Sequence, residues 1–116
     1  MSGARGEAMI LDGEEEIPLL LTNRALSEVE GATGRSVLEL GRAAETNALG
    51  MTETAHLLRV AMEYGRRDAR VVGKRYTIDD AWRVLDQHGF TTVLVLMVGA
   101  FADVLRYKEG EGDPPV

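Results

Sequence analysis

The ten residues from Val93 to Ala102 carry no charged side chain, and they constrain this chain more than any other segment. A helix that is apolar on every side must be buried by something, yet ten residues are too few to cross a bilayer. The rest of the chain, or a partner, therefore has to supply the cover. With 116 residues, 45% of them hydrophobic and 28% charged, the chain has the size and composition of one globular domain with a single core. Two readings of the apolar helix stand side by side. It is either the central core helix, or a helix whose remaining circumference meets a partner or a second copy through part of Leu94, Met97, Val98, Phe101, Val104 and Leu105. Met97 suits an adaptable surface. Gly99 lies near Val95, Ala100 and Ala102, where small residues let another backbone approach.

Charge and residue types narrow the function. Cysteine is absent, which removes disulfides, thiolate metal sites and cysteine nucleophiles. Met1 to Glu7 is small and polar, without the apolar stretch of a signal peptide, so the expectation is a cytoplasmic protein that does not enter a membrane. The net charge of −6 argues against sequence-independent binding to nucleic acid, which needs clustered Lys and Arg. One cluster does exist: Arg66, Arg67, Arg70, Lys74 and Arg75 are opposed locally only by Asp68. It fits an acidic partner or nucleic acid, and equally a solvated loop.

No enzymatic constellation emerges, and no cofactor is implied. His56 and His88 fall on different helices. Asp79 and Asp80 are placed as first-turn acids rather than metal ligands. Gly31 to Ser36 resembles a phosphate loop only superficially, because two residues separate the glycines and Arg35 stands in place of lysine.

Along the chain, Glu7 to Leu11, Asp12-Gly13 and Ile17 to Leu21 read as a β-hairpin, with Pro18 restricting the second strand to an edge. Two strands are marginal alone and need helices to pack on. Thr22 or Asn23 opens a first helix with Ala25, Leu26, Val29 and Ala32 or Thr33 on one face, and Gly34 closes it. Ser36 and Glu39 form a capping box for a second helix that turns Val37, Leu40, Gly41 and Ala44 inward. Thr52 is expected to cap a third helix with Leu57, Leu58, Ala61 and Met62 inside, and with Arg59, Glu63 and Arg67 paired on the outside. Gly65 to Tyr76 reads as irregular. Thr77 opens a fourth helix with Ile78, Ala81, Trp82 and Leu85 on a shared face, ended by Gly89. Thr91 or Thr92 caps a fifth, to about Tyr107. Trp82, the sole tryptophan, is a core residue or an interface hot spot. The fold class is thus α+β, an N-terminal β-hairpin followed by a bundle of four to five helices. One globular domain spans residues 6–108, between a disordered start, 1–5, and a disordered tail, 109–116.

This order, and the residues at the joints, resemble a known family. Leu21-Thr22 to Ala25-Leu26, Glu30, Gly34-Arg35-Ser36-Val37 and Glu39-Leu40 are similar to the strand, threonine, helix, glycine-x-serine, helix signature of the small tail-assembly chaperones of tailed phages and gene transfer agents. The double leucine Leu57-Leu58, Gly89 and the apolar last helix continue the likeness over roughly Gly6 to Lys108. The Arg-rich stretch Arg66 to Arg75 departs from the pattern by its length. The resemblance implies a non-enzymatic oligomer that binds the tape-measure protein, keeps it soluble until tail-tube protein polymerises around it, and is absent from the mature particle. The alternative is a structural tail or head–tail connector subunit. A small nucleic-acid-binding regulator is a third reading, disfavoured by charge.

Overall fold

A computed structural model describes residues 6–106. The expectations for residues 1–5, for the end of the last helix at Tyr107 and for the tail lie outside these residues. The chain forms an antiparallel hairpin, β1 (Glu7–Asp12) and β2 (Glu15–Leu20), followed by α1 (Asn23–Thr33), α2 (Val37–Glu45), α3 (Met51–Asp68), α4 (Ile78–His88) and α5 (Phe90–Arg106). The α+β architecture is as expected, with five helices.

Asp12 pairs with Glu15, so the turn residues are Gly13 and Glu14 rather than Asp12 and Gly13. Gly13 takes the first central position with φ 66°, the left-handed conformation that glycine enters without a Cβ penalty. Ile10, Ile17 and Leu19 point into the core, whereas Met9 and Leu11 on the alternate face are exposed.

The helix ends follow local chemistry. The Thr22 hydroxyl accepts from the Ala25 amide at 3.0 Å, which makes Thr22 the cap of α1. Gly34 ends α1 at φ 75°. In the α2 capping box, Ser36 Oγ accepts from Glu39 N at 3.1 Å and Glu39 Oε1 from Ser36 N at 3.0 Å. The α4 box is built likewise from Thr77 and Asp80. Two expected starts are corrected. Gly50, not Thr52, precedes α3, because the Glu53 carboxylate reaches back to the Gly50 amide at 3.0 Å and fixes the helix start there. Helix α5 starts at Phe90, directly after Gly89, so neither Thr91 nor Thr92 caps it.

Helix α3 also runs three residues past Gly65, where the sequence reads as irregular. Gly65 is a packing glycine: a Cβ there would run into the carbonyl oxygen of Pro18, so β2 lies backbone to backbone on α3. The hairpin thus gains the support it lacks alone. Helix α3 is the centre of the fold, touching β2, α1, α4 and α5, and its Leu57, Leu58, Val60, Ala61 and Met62 are fully buried.

Candidate functional site

Helix α5 is covered by α2, α3, α4 and β1. Its inner side is Val93, Met97, Ala100 and Phe101, all buried. Of the residues singled out in the sequence, Met97 and Phe101 are therefore core residues within one protomer, at 0% and 1% exposure. Leu94, Val98 and Val104 are half-buried, and Leu105 is 42% exposed. Val104 meets the backbone of Gly6 at the base of the hairpin, a contact that only a glycine there allows. Trp82 is half-buried and packs on the core from α4. A residue left off that set carries the outward side: Val95, 66% exposed, begins a stripe that continues through Gly99 and Ala102 to Leu105 at helical spacing. Its signal was present in the uncharged run, but periodicity alone does not say which side of such a run faces out.

The outward side borders a groove. Between α2 and α5 lies a cleft of about 100 Å³ lined by Gly41, Ala44, Val98, Phe101, Ala102 and Leu105, with Glu45 and Arg106 at its rim. Gly41 matters here, because a Cβ at this position would come 2.8 Å from Leu105 Cδ1. Leu38, one turn before Gly41 on α2, is 72% exposed and extends the apolar surface. The cleft depends on how α2 is held. Glu30 accepts from the Val37 amide at 2.7 Å, and Arg35 pairs with Glu53 of α3 at 2.7 Å. The hydrogen bond from Arg35 holds the Glu53 carboxyl below its ordinary range.

The basic cluster has a second carboxylate against it besides Asp68. Glu63, expected on the outer face with Arg59 and Arg67, is instead 2% exposed. It accepts from Arg66 Nε at 3.1 Å, Arg67 Nε at 2.9 Å and the Tyr76 amide at 3.0 Å. The Arg66 hydrogen bond is the largest of the causes that push its pKa down to about 2. The Arg67 guanidinium also lies 5.3 Å over the Tyr64 ring, whose hydroxyl donates to Glu28. Desolvation, reinforced by Glu28, raises the Tyr64 pKa. Arg66 and Arg67 are thus structural, leaving Arg70, Lys74 and Arg75 outside the Glu63 cluster.

The two histidines lie apart from the α2–α5 cleft. His88 Nε2 lies 3.4 Å from Asp12 Oδ1 without hydrogen-bond alignment, and His56 sits on α3 with Nδ1 buried and unpartnered among the described residues. Among those residues no group of three or more His, Asp or Glu side chains converges as a metal site. No single helix there is long and apolar enough to cross a membrane; α4 and α5 reach that composition only together, across a bend of 117°.

Comparison with protein-family models, curated proteins and solved structures finds no match to this chain. The functional reading therefore rests on the surface just described and on the sequence resemblance.

Proposed function

We propose that this protein is a tail-assembly chaperone of a phage or phage-like particle, acting in the cytoplasm of the producing cell on the tape-measure protein. The observation that carries the reading is the outward side of α5: an uncharged stripe with Val95 at 66% exposure, beside an apolar cleft against α2. An amphipathic helix of the tape-measure chain lays its apolar positions along that stripe, the helix-in-groove mode of recognition. Small side chains at Gly99 and Ala102 let the two backbones approach. The net charge of −6 keeps the loaded complex soluble.

Co-expression with the tape-measure chain followed by a pull-down tests the reading. The expected result is a soluble complex with the native chaperone and an insoluble tape-measure chain with Val95→Asp, which places a charge in the stripe on an exposed position. A tape-measure chain that is soluble alone and does not associate overturns it.

A further inference from the structure

Two surfaces other than the outward side of α5 carry opposite charge, and each displays apolar side chains to solvent. The first is the connection from α3 to α4. Arg66 Nη1 donates to the carbonyls of Val71 and Gly73 at 3.2 and 3.3 Å, and Glu63 holds the Tyr76 amide. Arg70 turns the chain with φ 58°. These bonds fix a tip on which Val71 is 47% and Val72 97% exposed, surrounded by exposed Arg70, Lys74 and Arg75. Among the described residues, the ion-pair approach made by these three cations, Arg75 to Glu28 at 4.0 Å, is solvated.

The second surface is the outer face of the hairpin. Met9 and Leu11 are 44% and 65% exposed, Glu16 stands opposite Leu11 on the same face, and Glu14 and Glu15 extend the acidic surface round the turn. Among the described residues none of these three glutamates has a cation within 4.0 Å. The end of α3 at Asp68 lies beside Glu7, Met9 and Leu20, at the open end of the hairpin. Counted from Met9, the turn is three strand steps further, ~10 Å away. Among the described residues, no cation of the tip reaches these glutamates within one copy.

We propose that the basic tip of one copy docks on the acidic hairpin of the next, with Val72 against Leu11 and Met9, and Arg70, Lys74 and Arg75 facing Glu14, Glu15 and Glu16. The occupant is a second copy because the complementary charge and the complementary apolar patch are both on this chain. The contact joins two different patches, so it closes either as a two-fold pair in which each tip sits on the other copy's hairpin or as a ring or open filament. It does not depend on the chaperone reading, which uses a different surface.

Sedimentation velocity of the full chain up to about 1 mM, the scale of a weak contact, tests it, together with two charge-reversed variants. One is E14K/E15K/E16K and the other R70E/K74E/R75E, all at exposed positions, with folding checked by circular dichroism. The parent is expected to form dimers or larger species, and to lose them as salt rises from about 0.1 M to about 1 M. Each variant alone is expected to associate at least about tenfold more weakly, and an equimolar mixture of the two to regain assembly. A parent that is monomeric throughout, variants that associate like the parent, or a mixture that stays apart each overturn the proposal.

Discussion

At the scale of single residues, Glu63 joins the end of α3 to the chain that follows it. Its carboxylate is buried with two arginines and the Tyr76 amide, so its negative charge is favoured in the folded protein and its pKa falls to about 2. An ordinary glutamate titrates near 4.3 when unfolded, about two units higher. The unfolded chain then takes up the proton first on acidification. The stabilisation is complete above about pH 4.5 and is lost as pH falls toward 2, amounting to about 2 kcal/mol once screening by solvent beside the arginines is allowed for. Glu63→Gln is expected to unfold at lower urea at pH 7 and to show a flatter fall in stability between pH 4.5 and 3 than the parent. Urea titrations across that range measure both. The sequence shows the pairing of Glu63 with Arg67 through their spacing of four. It does not show the burial, because Tyr76 returns from thirteen residues away and such a closure leaves no period in the sequence.

At the scale of elements, the two glycines inside α3 and α5 have opposite reasons for being there. Gly65 meets the Pro18 carbonyl, a backbone atom that cannot move aside, so Gly65→Ala is expected to cost about 3 kcal/mol and lower the melting temperature. Nothing lies within 4 Å of the Cβ position at Gly99, and Gly99→Ala is expected to stabilise α5 by about 1 kcal/mol. If Gly99 admits a partner's backbone, the same change weakens tape-measure binding while raising the melting temperature, a split that thermal melts and pull-downs read separately. The caps at Ser36 and Thr77 and the stops at Gly34 and Gly89 are legible because each is decided by groups within four residues, and the first cap is legible as Thr22 or Asn23. The starts of α3 and α5 are not, since a threonine in a first turn resembles a cap. Gly65 reads as a helix end for a related reason: a glycine that ends a helix and one that packs under a strand look the same until the strand is placed.

For the whole molecule, the question posed by the apolar helix has a divided answer. Met97 and Phe101 are sealed inside, while Val95 and Leu105 are left to solvent, so the candidate surface is narrower than the set of residues the sequence offered and is shifted round the helix. A cleft of about 100 Å³ gives little area to a single partner helix. On the proposed tape-measure function, tight retention of a long chain then has to come from many copies acting together. If copies join end to end through the basic tip and the acidic hairpin, each bound cleft raises the effective concentration of the next, and avidity grows without any new contact. The two surfaces can be separated on this basis. The E14K/E15K/E16K variant keeps its α2–α5 cleft, so its affinity for a peptide of one tape-measure helix is expected to match the parent within about twofold. Its hold on the full-length tape-measure chain is expected to fall about a hundredfold, the lower end of what linked sites contribute. Titration of the labelled peptide and pull-down of the full chain measure the two arms. Equal loss in both arms would place the tape-measure contact on the hairpin itself, and no loss in either would leave each copy acting alone.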